Sequence, residues 1–185
     1  MTVRMNEGVS RAAADAVRVE ENKIMNSCGD GIVCEYPETT CSITKNTIYM
    51  AEKNGIWVKN GACPVIRENE VVLSKGDGIG TWHNGTKPVI TSNTLKKNKG
   101  SGITIAKGAS PLIKDNDIVE NDRVGVWVRH GSSGKIELNR FADNSSGPVK
   151  AVTGCDFTMK NNKGRLFARC KKPMAFFFLL FVCGA

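Results

Sequence analysis

With 185 residues, 41% apolar side chains, only 6% aromatics and 19 glycines, the chain is long enough for one domain but poorly supplied for a compact globule built on large rings. The 26 basic residues against 18 acidic ones give a net charge of +8, which admits an acidic partner, yet within the repeats no Lys/Arg run exceeds two, so no specific nucleic-acid site is indicated. Seven cysteines occur without any C-x-x-C pair, which excludes the usual spacing of a structural zinc site.

Residues 1–30 read as a weak first coil or an N-terminal cap. Gly8 and Asn22 fit the register of the later coils, while the alanine-rich stretch from Arg11 to Glu21 also fits an amphipathic helix closing one end. The segment from Met1 to Gly8 has no apolar core of a secretory leader, so the expectation is a cytoplasmic protein with reduced cysteines. No dedicated cap precedes Gly8, and the chain reads as part of a longer solenoid.

Residues 31–146 repeat one pattern. GIWVKNGACPVIRENEVV, GIGTWHNGTKPVITSNTL and GITIAKGASPLIKDNDIV each open on Gly-Ile, reach a proline about nine residues later and close on apolar-x-x-Asn-x-apolar. Taking the openings as Gly8, Gly31, Gly55, Gly78, Gly102, Gly125 and Gly147 gives steps of 23, 24, 23, 24, 23 and 22 residues. An asparagine follows each by 14 or 15 positions: Asn22, Asn46, Asn69, Asn93, Asn116, Asn139 and Asn161. The opening strands alternate with apolar residues two apart, which is strand spacing. Three short strands and three turns per copy cannot bury an apolar face alone, but stacking closes a dry interior. The reading is an all-β, right-handed, single-stranded parallel β-helix of about seven coils, ~30 Å long at ~4.8 Å per coil. Identical amides stacked at one bend predict an Asn ladder.

Residues 147–164 read as a decaying last coil, since Gly147-Pro148 interrupts the opening strand and Thr158 and Lys163 fall at inward positions. Residues 165–185 form a basic, then apolar tail. Its apolar part, Met174 to Ala185, is too short for the ~20 residues of a membrane span. It reads as a flap over the last coil, as a truncated anchor behind Arg169, Lys171 and Lys172, or as sequence outside the native frame.

Alternation turns Trp57 and Trp127 outward on the opening strand, with Lys59, Trp82 and Arg129 two positions further along the coils and Gly80, Thr104 and Ala106 between. Flat rings beside cations suit stacking on sugars or anchoring a protein segment, and these five residues are the candidate binding face. His83 and His130 occupy one turn position two coils apart, ~10 Å by strand spacing, too far to share a metal, so neither metal nor cofactor is expected. Glu70 and Asp117 are separated likewise, with Glu68 and Asp115 beside the ladder, and no base converges on them in this register; no catalytic residue is assigned.

The repeats GIWVKNGACPVIRENEVV and DGIGTWHNGTKPVITSN, over residues 8–162, resemble the parallel β-helix repeats of the CASH class, shared by carbohydrate-active proteins of the pectin lyase fold, NosD-like periplasmic proteins and the substrate-receptor region of F-box ubiquitin ligases. The alternating 24- and 23-residue units look most like the last group. That resemblance implies fold more than activity, because the motif positions are structural. The expected function is a non-catalytic recognition scaffold binding a protein segment or glycan through the aromatic-cationic face. The alternative is a carbohydrate-active enzyme of the lyase or hydrolase type.

Overall fold

A computed structural model describes residues 3–5, 17–37 and 39–164. The chain winds through three parallel sheets of seven strands each. The first sheet contains Val3–Met5, Ile32–Glu35, Ile56–Lys59, Ile79–Trp82, Ile103–Ala106, Val126–Val128 and Val149–Ala151. The second contains Val17–Glu20, Cys41–Thr44, Val65–Arg67, Val89–Thr91, Leu112–Lys114, Ser133–Glu137 and Asp156–Lys160. The third contains Lys23–Met25, Thr47–Tyr49, Glu70–Val72, Thr94–Lys96, Asp117–Val119, Arg140–Ala142 and Lys163–Gly164. Every strand pairs with its counterpart one coil away, so the expected parallel β-helix is the fold; no helix occurs among the described residues.

Stacking of like on like builds the interior. Ile43, Ile66, Ile90, Ile113 and Ile136 form one buried file, and Ile48, Val71, Leu95, Ile118 and Phe141 form another. Each isoleucine covers the next and removes its side chain from water, worth roughly 1.5–3 kcal/mol per residue.

The bend between the second and third sheets is sharp because one residue per coil takes a left-handed conformation: Glu21, Lys45, Glu68, Ser92, Asp115, Leu138 and Asn161. Such a conformation costs roughly 1–2 kcal/mol in an L-residue. The adjacent ladder offsets it. Asn69 Oδ1 accepts from the backbone N–H of Asn46 (2.9 Å) and from Asn46 Nδ2 (2.9 Å), while Asn69 Nδ2 donates to Ile43 O (2.8 Å) and to Asn93 Oδ1 (2.9 Å). Asn93 and Asn116 repeat the arrangement, as does Asn46 toward Asn22.

The two ends depart from the expected register. The final ladder member is Asn162, not Asn161: Asn162 Oδ1 accepts from the Asn139 N–H (3.0 Å), and Asn161 holds the left-handed position before it. The inward residue there is accordingly Met159, paired with Ile136 and packed on the core, rather than Thr158. Pro148, not Gly147, continues the glycine file, because Val126 pairs with Val149. Its carbonyl accepts the Val126 N–H (2.7 Å), so the strand continues with Pro148 in place. A proline fits there because that carbonyl keeps its ladder bond and the missing N–H faces away from the preceding coil. At the other end Val3 pairs with Ile32, which places the first strand ahead of Gly8. Val17–Glu20 is a strand, and the expected helix over Arg11–Glu21 otherwise lies outside the described residues, as does the tail from 165 to 185.

A second ladder runs along the corner after the third sheet. Asn98 Nδ2 donates to Asn121 Oδ1 (3.0 Å) and Asn121 Nδ2 to Asn144 Oδ1 (2.9 Å). The 24-residue coils gain their extra residue in the turn between the first and second sheets, where Tyr36 (φ 81°) and His83 (φ 78°) take the places of Asn60 and Lys107. Thr39 and Thr86 brace those longer turns by donating to Glu35 O (2.8 Å) and Trp82 O (2.7 Å).

Candidate functional site

Sheet register brings the five predicted residues onto the outer surface of the first sheet. Trp57 stacks on Gly80, which stacks on Thr104 and then Trp127; Lys59 stacks on Trp82 and then Ala106. Ile56, Val58, Val126 and Val128 point inward and are buried, as alternation requires. Gly80 forms the floor between two indoles: a Cβ there would lie 3.2 Å from Trp57 and 3.6 Å from Trp82. Trp57 and Trp82 meet edge to face, centroids 6.4 Å apart and planes at 87°, an arrangement the ring quadrupoles favour.

Cations lie against every ring. Lys59 Nζ is 4.2 Å from the Trp57 centroid, Lys107 Nζ 5.1 Å from Trp82, Arg129 Cζ 4.7 Å from Trp127 and 5.9 Å from Trp82, and Lys150 Nζ 5.8 Å from Trp127. Each contact is worth about 0.5–2 kcal/mol, depending on exposure. Lys107 and Lys150 escape the sequence reading, although their signal is legible: Lys107 follows the Ala106 position and Lys150 shares the file of Trp57 and Trp127. Glu35 escapes it too. Its buried carboxylate is 3.0 Å from Lys59 Nζ and accepts from Asn60 Nδ2 (3.3 Å), which fixes the ammonium over Trp57.

Buried polar groups without a partner occur at the corner after the third sheet, at Ser74 Oγ and Ser101 Oγ, and on this surface. The Nε1 atoms of Trp57 and Trp127 and Nδ1 of His83 are buried without a hydrogen-bond partner. Unsatisfied buried groups are uncommon in folded proteins, and these three gather on this surface. Burial, then Lys107 and Lys59, hold the His83 imidazole below its usual range, so it is neutral at pH 7. At the sheet edge, burial lifts the Asp77 carboxyl above its usual range, against the opposing pull of Thr104, the Ser101 N–H (2.7 Å), Arg123 and Arg129.

The remaining candidates do not converge. His83 and His130 stand in equivalent turns with the Lys107 turn between, and no group of three or more His, Cys, Asp or Glu among the described residues is placed to hold a metal. Glu70 and Asp117 lie on the third sheet with Thr94 between them. Against the expectation that no base converges on them, Arg140, which follows Asn139 as Asp117 follows Asn116, stacks on Asp117 and forms an ion pair with it. Glu68 pairs with Arg67 (3.4 Å) and Asp115 with Lys114 (3.7 Å), all on exposed surface. A concavity of about 1320 Å³ bounded by Phe141, Asn144, Pro148, Lys150 and Lys163 lies at the last described coil, and it shares Lys150 with the indole surface.

Solved structures of similar fold include the periplasmic alginate epimerase AlgG, at TM-score 0.72 and 15% identity, with 78% of this chain and 38% of that one covered. A mutant of the same epimerase gives TM-score 0.70 and 16% identity, covering 79% and 39%. The likeness is one of fold, and the chain spans about two fifths of the epimerase's length. No curated protein matches the chain in sequence. The family described as right handed beta helix region matches residues 7–163, and the chain belongs to that family.

Proposed function

We propose that the first-sheet surface engages an acidic polysaccharide, and that the chain is the glycan-engaging β-helix of a carbohydrate-active protein. One observation carries this reading: Trp57 and Trp82 meet edge to face, Arg129 lies between Trp82 and Trp127, and the three rings share one surface flanked by Lys59, Lys107, Arg129 and Lys150, with Glu35 and Asp77 as the nearby carboxylates. Indole faces stack on the apolar faces of sugar rings, and the surplus cations pair with ring carboxylates. The likeness to an epimerase acting on alginate, an acidic polysaccharide, supports the same class of ligand. The floor between the rings is formed by the small residues Gly80, Thr104 and Ala106.

Catalysis on the same surface is a second reading, favoured by His83. Its neutral imidazole stands beside Lys107 and Lys59, the pairing that proton abstraction next to a carboxylate needs: a base active near neutral pH and a cation to hold the anion.

The test is affinity electrophoresis of the full chain in gels containing alginate, polygalacturonate or a neutral glucan. Retardation by the acidic polymers alone, weakening as salt rises, is the expected result. Equal mobility in all three gels contradicts the binding reading. Incubation of the retained polymer, followed by ultraviolet absorbance for unsaturated ends and proton spectra for epimerised sugars, decides between scaffold and enzyme.

A further inference from the structure

Outside the indole surface, one feature of the interior stands alone. Cys34 ends the inward run of a first-sheet strand, Cys41 opens the following second-sheet strand, and their sulfurs face each other 3.4 Å apart, both side chains buried. The neighbouring coils fill these two places differently. Val58, Thr81, Ile105 and Val128 occupy the file of Cys34. Cys41 precedes Ser42, which pairs with Val65, so its file continues as Pro64, Pro88 and Pro111. In those coils the entry to the second sheet is locked by a proline ring, which fixes φ and narrows the unfolded ensemble. The coil beginning at Gly31 lacks that lock at the same position, and its turn holds Tyr36 in a left-handed conformation.

We propose that Cys34 and Cys41 are a disulfide-forming pair, and that the bond between them replaces the missing proline as the clamp on this turn. The sulfurs need to approach by roughly 1.4 Å to reach bonding distance, a rotation of side chains that already share one face of the turn. The cross-link restrains the unfolded chain much as a proline does. The chemistry is exchange with a low-molecular-weight disulfide oxidant. One thiolate attacks an oxidant sulfur and releases its partner as a thiol, and the second cysteine then displaces the remaining half. Two electrons and both thiol protons end on the two released oxidant thiols, while one bond forms between Cys34 and Cys41. The neighbouring Cys41 and burial hold the Cys34 proton tightly in the folded coil, so exchange proceeds while the turn is open, during folding, and the closed bond is afterwards shielded from solvent thiols.

The experiment refolds the full chain in oxidised glutathione, blocks free thiols, cleaves at Asp30, Glu35 and Glu38 without reduction so that Cys28, Cys34 and Cys41 fall on separate peptides, and identifies joined peptides by mass. The expected product joins Cys34 to Cys41, with the melting midpoint several degrees higher than that of the reduced protein. Cys34→Val, which installs the residue found at Val58 and Val128, is expected to fold and to lose the oxidant-dependent part of the midpoint. Recovery of Cys34 and Cys41 as blocked thiols, a bond from Cys41 to the nearby Cys63 instead, or an oxidant-dependent midpoint that survives Cys34→Val overturns the proposal.

Discussion

The ammonium of Lys59 lies 4.2 Å from the centre of the Trp57 ring while its other side is held 3.0 Å from the Glu35 carboxylate. Glu35 therefore positions the cation but also cancels part of its charge. Replacing it by glutamine keeps the shape and frees the ammonium. Glu35→Gln is expected to tighten binding of an acidic polysaccharide about threefold at low salt, with the gain vanishing at high salt, as screening of a single charge requires. Titration calorimetry at two ionic strengths measures this.

The ladder makes a contrast between neighbouring residues. Asn93→Ala removes the acceptor of the Asn69 N–H, the partner of Asn69 Nδ2 and the donor to Ile66 O, all buried. Leaving such groups unmet is expected to cost about 3–5 kcal/mol in urea unfolding. Asn161→Ala, in the left-handed position outside the ladder, is expected to cost about 1 kcal/mol. Asn162→Ala breaks the bonds to Asn139 and is expected to exceed it.

Glycine openings are required by the approach of the coils. A Cβ on Gly102 would lie 2.3 Å from Ile118 Cγ2 and 2.7 Å from Gly125 O, and the latter is backbone that cannot move aside. Gly102→Ala is expected to destabilise by about 2–3 kcal/mol in the same assay, as overpacking does.

Asp77 gives stability a pH dependence of defined sign. Its carboxyl titrates above 3.8 in the folded chain, so between 3.8 and that higher value the folded state holds more protons than the unfolded one. Stability from this group is present at low pH and is lost as pH rises through that window. Asp77→Asn places at this corner the residue that Asn54 already supplies one coil away, and the amide oxygen still accepts the Ser101 N–H. The variant is expected to lose the downward slope and to melt higher than the parent at pH 7. His83 works in the opposite sense: its depressed imidazole leaves the folded state with fewer protons below 6.5, so stability falls as pH drops through and below that value. His83→Gln is expected to flatten that part of the curve.

The fold is legible in the sequence because its determinants repeat. Gly31, Gly55, Gly78, Gly102 and Gly125 and the ladder from Asn22 to Asn139 recur at the coil length, and any interior file is defined once two coils are aligned. By the same alignment Trp57, Trp82 and Trp127 share one surface with Lys59 and Arg129. Whatever breaks the repeat or depends on side-chain reach escapes. Asn162 is hidden by Asn161 just before it, since a 22-residue step looks as acceptable as 23. The second ladder of Asn98, Asn121 and Asn144 recurs five residues after the first but only in the later coils, where Ala51 and Ser74 give no hint of it earlier. The meeting of Cys34 with Cys41 is fixed by rotamers and turn width, which no spacing encodes, whereas Arg140 follows Asp117 by one coil length of 23 residues and is legible by the same alignment.

The central claim is that the three indoles are where an acidic polysaccharide sits. Nitrogen-15 labelling of tryptophan alone gives one indole N–H signal for each of Trp57, Trp82 and Trp127, assigned by single Trp→Phe variants. Titration with alginate oligosaccharides is expected to move all three signals along one saturation curve, while neutral glucan oligomers leave them in place. If the oligosaccharide binds and the three signals stay fixed, or if alginate and neutral glucan move them equally, the indole stripe is not an acidic-glycan site.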